Sequence, residues 1–329
     1  MTNSPHEAII AVTLNCNARC VMCNIWQNKI EGEVSPDFYH KLPPSLKEIN
    51  ITGGEPFLRN DLPEIVAVMK KACPQARLLI NTNGYLFNQI KKLMPRIMQS
   101  VPSIALRISL DGMEHTHDSI RRLPHFYANA IASLVHIKKI AIKDLGVSYT
   151  LMEQNKNDLL PLYTYCEQND LEFSLTVATD SPIYFGTGKL SLRPKTDNEL
   201  RSIFKQLVTK QYKTFKPKEW IRAWFNQKLL AYMETHTRYF SCRAGKDFFY
   251  LDSLGRIYTC HLKPWLLGDL TKKSFLDIFN SPQALHFEQK ARDCQGCWMV
   301  CTARSIIKAK LFPVFQEIVI HKLQSHLAP

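Results

Sequence analysis

The chain has 329 residues, of which 45% are hydrophobic and 22% charged, as in ordinary globular proteins. It contains no run of about 18 apolar residues, so no membrane span is predicted, and its first residues lack the basic and apolar regions of a secretory signal. We therefore expect a reducing, cytoplasmic location. The net charge of +13 is compatible with nucleic acid, an anionic lipid surface or an acidic substrate. The basic residues are spread widely, which favours a solvated basic surface over a nucleic-acid site.

Most of the ten cysteines fall into two groups along the chain. In a reducing compartment, grouped cysteines indicate metal ligands before disulfides. The first group, Cys16, Cys20 and Cys23, has the spacing CxxxCxxC with no fourth cysteine nearby. Three thiolates can hold three corners of a four-iron cluster and leave one iron open for a cofactor or substrate. A zinc knuckle and three unrelated thiols are the alternatives.

The first half of the chain alternates strands and helices. The first cysteine group follows a β-branched strand predicted over residues 8–14, and a second strand over 45–52 ends in Gly53-Gly54-Glu55-Pro56. This alternation predicts a parallel sheet. Because six strands are too few for a closed eight-stranded barrel, we predict an α/β fold, a partial (βα)6 barrel of the TIM type. The other strands are predicted over 77–82, 103–109, 144–151 and 171–178, and the helices over 61–72, 88–98, 128–139 and 157–169.

Polar side chains follow the third and fourth predicted strands. Asn81 and Asn83 stand at the end of one strand, and Ser109 and Asp111 at the end of the next. Active sites of α/β barrels lie at the carboxyl ends of the strands, so we expect these side chains at the barrel mouth, with Asn83 and Ser109 the stronger candidates. A role in capping a turn or helix is the alternative for each.

The second cysteine group consists of Cys242, Cys260, Cys294, Cys297 and Cys301. The first two flank two short β-type runs, 248–251 and 256–259, which predict a hairpin. A hairpin supplying two thiolates and a CxxC supplying two more suffice for a four-coordinate metal. We choose Cys242, Cys260, Cys294 and Cys297 as the ligands, although Cys301 would serve in place of either CxxC member. Structural zinc on the same thiolates is the alternative.

The CxxxCxxC triplet, with Gly53-Gly54-Glu55-Pro56 one βα unit later, resembles the radical SAM superfamily. The resemblance implies that the open iron binds S-adenosylmethionine, that one electron breaks its C5'–S bond, and that the resulting 5'-deoxyadenosyl radical removes a hydrogen atom from a substrate. It also implies a reducing partner such as flavodoxin or ferredoxin. The residues implied as cofactor contacts are Met22, Gly53, Gly54, Glu55, Pro56, Asn83, Ser109 and Asp111.

The C-terminal cysteine spacing is similar to the SPASM and twitch extensions of radical SAM enzymes, which hold auxiliary 4Fe-4S clusters. The full SPASM pattern continues with further cysteines after the CxxC, whereas here only Cys301 follows. We therefore expect one auxiliary cluster, and two 4Fe-4S clusters in all. The expected divisions are a radical SAM core over 1–185, a helical linker over 186–240, the auxiliary domain over 241–305 and a helical tail over 306–329.

The predicted function is the oxidation or epimerisation of a sugar-like or other small molecule. Only 15 residues precede Cys16, so we expect no separate domain for a leader peptide, which favours a small molecule over a ribosomal peptide. Epimerisation or cross-linking of such a peptide is the alternative. A spare thiol at Cys301 would be able to return a hydrogen atom to the substrate radical, and an inert buried cysteine is the alternative. A zinc-stabilised basic protein that binds nucleic acid is the alternative from another class.

Overall fold

Six parallel strands form the first part of the fold. The structure, a computed structural model, describes residues 4–27 and 31–327. The strands are β1 (Glu7–Thr13), β2 (Glu48–Gly53), β3 (Arg77–Thr82), β4 (Ala105–Ser109), β5 (Leu145–Leu151) and β6 (Glu172–Val177). They pair in parallel in the order β6-β5-β4-β3-β2-β1. This arrangement confirms the predicted partial barrel.

Helices follow most of the strands and cover their outer face. They are α1 (Leu62–Ala72), α2 (Phe87–Ser100), α3 (Glu114–Arg121), α4 (Phe126–Lys139), α5 (Leu159–Gln168), α6 (Asn198–Lys213), α7 (Pro217–Thr235), α8 (Phe275–Phe279), α9 (Pro282–Arg292), α10 (Val300–Ala309) and α11 (Leu311–Leu327). In α1, buried Leu62, Ile65, Val66 and Met69 recur at helical spacing. Helix α3 was not predicted, because Ile120 is its only aliphatic residue and gives no period to detect.

The C-terminal hairpin continues the barrel sheet. Its strands are β7 (Phe248–Leu251) and β8 (Arg256–Tyr258), which pair antiparallel, and β9 (Leu266–Asp269) pairs with β8. Strand β7 pairs in parallel with β1, so the sheet reaches nine strands among the described residues. The hairpin lies where the sequence predicts it. Its pairing with β1 brings the second cysteine group to the same side of the molecule as the first.

The two faces of the six strands have different surroundings. On β1, Ala8, Ile10 and Val12 point outward into the main hydrophobic core, while Ile9 points inward, as expected for a side-chain period of two. The inward residues, among them Asn50, Thr52 and Asn81, line a cavity of about 870 Å³. The helix-covered exterior of the barrel forms the core, and the interior carries polar side chains within a lining that is mostly apolar.

Charged side chains pair at the amino ends of the strands. Arg77 bridges Glu48 at 2.6 Å and Asp144 at 2.8 Å, and Arg304 of α10 bonds Glu7 at 3.0 Å and also pairs with Glu48. The network joins α10 to β1 and β2. Within the described part of the chain, no helix is both long and apolar enough to traverse a bilayer.

Candidate functional site

The first cysteine group lies in the loop that follows β1, at the carboxyl end of the sheet. Cys16, Cys20 and Cys23 all line the cavity. Burial raises the pKa of Cys16 and of Cys23 to about 12, and it also raises the pKa of Cys20. Free thiols here are therefore neutral, and a bound metal ion is what stabilises them as thiolates. The fold brings the three predicted ligands together on one wall.

Hydrogen-bond donors face two of these sulfurs. The Ala18 N–H lies 3.4 Å from Cys16 Sγ, and Nη1 of Arg121 lies 3.4 Å from Cys20 Sγ. Nδ2 of Asn17 and Nε of Arg121 are buried without a hydrogen-bond partner among the described residues. Donors that contact cluster sulfurs are typical of iron–sulfur sites, so the donor set fits a cluster.

The two glycines after β2 allow close packing against the cysteine loop. The Gly54 N–H donates to Thr13 O at 2.8 Å, and the Glu55 N–H donates to Asn15 O at 2.9 Å. A Cβ atom on Gly53 would lie 2.0 Å from Thr13 O, and one on Gly54 would lie 2.0 Å from Asn15 O. Only glycine permits this approach. Both glycines also line the cavity, so the two sequence motifs form one wall.

Glu55, a predicted cofactor contact, lies behind the wall of the cavity. Its side chain is fully buried and does not line the cavity. Its carboxylate accepts hydrogen bonds from Phe57 N–H at 3.1 Å, Thr82 Oγ1 at 2.7 Å and Asn83 N–H at 2.7 Å. Burial raises the pKa of Glu55 to about 7. Glu55 therefore connects the end of β2 to the end of β3. Pro56 begins a short 3-10 turn, is buried and does not line the cavity.

Three other predicted contacts line the cavity, namely Met22, Asn83 and Ser109. Nδ2 of Asn83 donates to Asn17 Oδ1 at 2.8 Å, which ties the end of β3 to the cysteine loop. Asn81 lines the cavity as well. The residues at the ends of β3 and β4 thus surround the space beside the thiols, as barrel topology predicts.

Asp111, another predicted cofactor contact, has a fully buried side chain that does not line the cavity. Its carboxylate accepts the Thr150 N–H at 2.8 Å and pairs with the guanidinium of Arg121, and Arg121 lines the cavity. The desolvated carboxylate therefore positions a cation that reaches the site. Sequence reasoning missed Arg121 because it missed α3. An arginine shortly after a strand-end Asp-Gly is the signal that points to it.

A segment after β6 covers the cysteine loop. The Ser181 N–H donates to Gly186 O at 2.8 Å, and the Gly186 N–H donates to Ser181 O at 2.7 Å, which closes a tight turn. Within it, the Tyr184 hydroxyl donates to Gly53 O at 2.5 Å and accepts from Gly53 N–H at 3.1 Å. The carbonyl of Phe185 accepts the Asn24 N–H at 2.8 Å. The sequence placed only the boundary between the core and the helical linker here, after residue 185, and no local pattern identifies Tyr184.

Four members of the second cysteine group lie together. Cys242, Cys260 and Cys297 belong to one buried apolar cluster, and Cys301 packs against it. Burial raises the pKa of Cys242 to about 11 and that of Cys301 to about 12, and raises the pKa values of Cys260 and Cys297. These thiols, like the first three, need a bound metal to remain ionised.

Arg238 is a positively charged residue beside the second cysteine group. Its guanidinium is buried, donates to the Cys297 carbonyl, and places Nη1 3.6 Å from Cys297 Sγ. Nη2 has no hydrogen-bond partner among the described residues. The Gly296 N–H adds a donor 3.4 Å from Cys294 Sγ. Both cysteine groups therefore combine buried thiols with an arginine, an arrangement that suits an anionic cluster.

Cys301 and His261 connect the second group to the cavity. Both line it, whereas Cys242, Cys260, Cys294 and Cys297 do not. The His261 ring is buried, its Nδ1 has no hydrogen-bond partner among the described residues, and burial lowers its pKa to about 4. The Ser181 hydroxyl donates to its carbonyl at 2.5 Å. Sequence reasoning missed His261, although its position next to Cys260 was an available signal.

As it stands, the described part of the chain has no set of three or more His, Cys, Asp and Glu side chains arranged to hold a metal ion. A four-iron cluster takes its thiolates on separate iron atoms. Its ligands therefore stand further apart than those of one zinc ion. The donor types and the partnerless buried donors described above suit such a cluster.

Family comparison agrees with this geometry. The family described as Radical SAM superfamily matches residues 10–166, and the iron-sulfur cluster-binding SPASM domain matches residues 242–298. The chain belongs to the radical SAM superfamily. Its matched segments contain the first cysteine triplet and four of the five C-terminal cysteines. Membership makes the chain a radical SAM enzyme with iron–sulfur and S-adenosylmethionine sites and a C-terminal SPASM domain.

Several named proteins resemble this radical SAM chain. Fe-coproporphyrin III synthase of Methanosarcina barkeri is 29% identical over 167 residues, which cover 49% of this chain and only 40% of that protein. AdoMet-dependent heme synthase of the same organism is 22% identical over 93% of this chain and 91% of that protein. Sporulation killing factor maturation protein SkfB of Bacillus subtilis is 21% identical over 88% of this chain and 68% of that protein.

Among solved structures, anSMEcpe with bound AdoMet superposes on this radical SAM chain with a TM-score of 0.66. The sequences are 16% identical, and the match covers 90% of this chain and 88% of that one. At that identity the likeness concerns the fold, and it agrees with the partial barrel described above.

Proposed function

We propose that this enzyme cleaves S-adenosylmethionine reductively and uses the resulting radical to abstract a hydrogen atom from a substrate C–H bond. One observation carries the proposal. Two backbone hydrogen bonds, from Gly54 N–H to Thr13 O and from Glu55 N–H to Asn15 O, join the double-glycine turn to the segment that leads into the three thiols, and the thiols and both glycines line one cavity. A zinc-stabilised nucleic-acid-binding protein has no need of such a cavity beside its metal site.

Each residue of the site has a distinct role in this proposal. Cys16, Cys20 and Cys23 hold the first cluster, and when bound with S-adenosylmethionine that cluster supplies the 5'-deoxyadenosyl radical. Gly53, Gly54, Met22, Asn83 and Ser109 form the wall beside it. The apolar residues Phe185 and Met299 line the same cavity, and they exclude water from the reacting atoms.

We infer a second 4Fe-4S cluster on the C-terminal cysteines. Four of them, Cys242, Cys260, Cys294 and Cys297, lie outside the cavity, which suits full ligation. Cys301 lines the cavity instead, which supports a role in giving a hydrogen atom to a substrate radical; one electron from the reducing partner and one proton then restore its thiol. One packed apolar cluster that includes Tyr184 and Tyr250 contacts both cysteine groups, which supports electron transfer between them.

We propose a small-molecule substrate. A cavity of about 870 Å³ is within the usual range of small-ligand sites. Hydroxyl and amide side chains such as Asn50, Ser148 and Ser174 line it, and such groups bind hydroxyls and carbonyls of a sugar-like compound. The similarity to a heme synthase along nearly the whole chain also favours a small molecule.

A ribosomal peptide is the second candidate. The similarity to SkfB, a maturation protein, extends over 88% of this chain and favours it. Mass spectrometry of reaction mixtures with metabolites and with peptides encoded near the gene distinguishes the two substrates. A mass change confined to a peptide would replace the small-molecule proposal.

The cofactor chemistry is tested with Cys16, Cys20 and Cys23 all replaced by Ala. Wild-type protein, purified anaerobically and reduced with S-adenosylmethionine, should release 5'-deoxyadenosine, and the triple variant should not. The variant should keep about half of the iron, held by the C-terminal cysteines. Cys73→Ala is the control, because that buried thiol donates to the Pro43 carbonyl at 3.3 Å and does not line the cavity. Zinc in place of iron would refute the cofactor proposal, and complete loss of iron would refute the second cluster.

The role of Cys301 is tested by Cys301→Ala in deuterated buffer. A thiol exchanges its hydrogen with water, so a wild-type product that receives its hydrogen from Cys301 carries deuterium. The variant should retain the iron content of the wild type and form a product without that deuterium. Iron loss would instead identify Cys301 as a cluster ligand.

A further inference from the structure

Helix α11 exposes a wide apolar face. Its exposed apolar residues are Leu311, Phe312, Phe315, Val319, Ile320 and Leu323. Leu311, Phe315, Val319 and Leu323 recur every fourth residue and form one stripe along the helix. Phe312 is 73% exposed and Leu323 61%. The opposite side of α11 is already packed, since Val314 and Ile318 are buried in the main core.

A second exposed aromatic residue adjoins this helix. Phe215, in the turn between α6 and α7, is 93% exposed. Lys322 of α11 donates to Tyr212 O at 2.6 Å and to Thr214 O at 3.1 Å, which places the turn against the helix. Phe215 and the α11 stripe, which we call the α11 face, therefore form one surface region. Contiguous apolar surface of this kind marks an interaction site.

The charge around the α11 face is positive. From Val300 to Leu327 the sole acidic residue is Glu317, and it bonds Trp224 Nε1 at 2.9 Å and Lys228 Nζ at 2.8 Å on the packed side. Lys213 adjoins Phe215 in the sequence, and Lys310 and Lys322 adjoin the stripe, whereas Lys216, Lys218 and Lys308 pair with Asp170, Glu172 and Glu7. An apolar stripe with aromatic residues and a lysine rim is characteristic of helices that lie in the interface of an anionic membrane.

We propose that the α11 face docks on the surface of an anionic lipid membrane. A second copy of the chain is disfavoured, because an isologous contact would bring two lysine rims together in a protein of net charge +13. Docking also positions the cavity. The exposed residues Lys218, Ile221 and Leu311 line it, so one end of the cavity opens beside the docked face.

The test is co-sedimentation of the full-length, iron-loaded protein with vesicles of phosphatidylcholine, with or without phosphatidylglycerol. Wild type should sediment with the phosphatidylglycerol vesicles and be released by salt. The double substitution Phe312→Ser and Phe315→Ser should weaken this binding by about tenfold or more, since it removes two exposed aromatic anchors. The matched control is Leu276→Ser with Leu285→Ser, which are 58% and 57% exposed on α8 and α9. It should bind as wild type does.

Circular dichroism and iron content establish that each variant is folded. The proposal is overturned if wild type ignores the anionic vesicles, or if both double variants bind alike. It is also overturned if light scattering shows a dimer that the Phe312 and Phe315 substitutions dissociate, since the face would then bind a second copy. Release of 5'-deoxyadenosine is measured separately, so a failure of membrane binding is distinguishable from a failure of the proposed chemistry.

Discussion

One buried guanidinium connects the barrel to the first cysteine group. Arg121 pairs with Asp111 and lies 3.4 Å from Cys20 Sγ, although it is 101 residues away from that cysteine. A positive charge and a hydrogen bond at a ligand sulfur favour the reduced, more negative state of a cluster. The Asp111 carboxylate contacts Nη2 of Arg121, whereas Nη1 faces Cys20 Sγ, and the effect of Arg121 on the pKa of the Cys20 thiol is larger than the opposing effect of Asp111.

Replacing Arg121 with Gln should lower the reduction potential of the first cluster, because the favourable charge is lost. The measurement is a redox titration followed by electron paramagnetic resonance, in protein whose C-terminal cysteines are replaced. Arg122→Gln is the control, since its exposed side chain is the next residue along the chain. An unchanged potential in Arg121→Gln would exclude this role, as would an equal change in both variants.

Among the elements, the turn at residues 181–186 determines the shape of the cofactor wall. It holds Gly53 through the Tyr184 hydroxyl, the cysteine loop through the Phe185 carbonyl, and the C-terminal part through the bond from Ser181 to His261 O. Three residues of one turn thus hydrogen-bond to three separate parts of the site. A segment predicted only as a boundary is a structural member of the site.

Tyr184→Phe should weaken binding of S-adenosylmethionine by about tenfold, equivalent to about 1.4 kcal/mol. The physical reason is that the Gly53 backbone loses the hydroxyl that fixes it, while the ring still fills its place. Isothermal titration of iron-loaded protein measures the affinity. Tyr165→Phe on α5, remote from the cavity, should leave it unchanged. Equal affinities for wild type and Tyr184→Phe would show that Gly53 needs no such support.

At the scale of the whole molecule, ion pairs connect the C-terminal helices to the start of the barrel. Arg304 bonds Glu7 and Glu48, whose side chains are almost fully buried, and Lys308 bonds Glu7 at 2.8 Å. Removing one partner of such a pair leaves a desolvated charge without compensation. The network therefore couples the unfolding of the C-terminal helices to that of the barrel.

Arg304→Gln should lower the free energy of unfolding by about 2 kcal/mol, a value between exposed and fully buried pairs. The midpoint of urea unfolding under anaerobic conditions measures it. Lys272→Gln is the control, because its pair with Asp269 is exposed and contributes little. Midpoints that fall equally in the two variants would contradict a special role for Arg304.

The sequence by itself determined the features that depend on neighbouring residues. The six barrel strands, the hairpin of β7 and β8, and the spacing of both cysteine groups are local patterns, because a strand shows its period within a few residues. Short or polar elements lack that signal. Helix α3 and strand β9 were missed for this reason, and with α3 the residue Arg121.

Only the tertiary structure decided which polar side chains face the cavity. Glu55 and Asp111 stand at strand ends as predicted, yet both are buried behind the wall, since donors from other strands surround their carboxylates. Tyr184 reaches Gly53 across 131 residues of sequence, and β7 joins β1 from the opposite end of the chain. Such contacts arise when distant segments pack, and no local pattern specifies them.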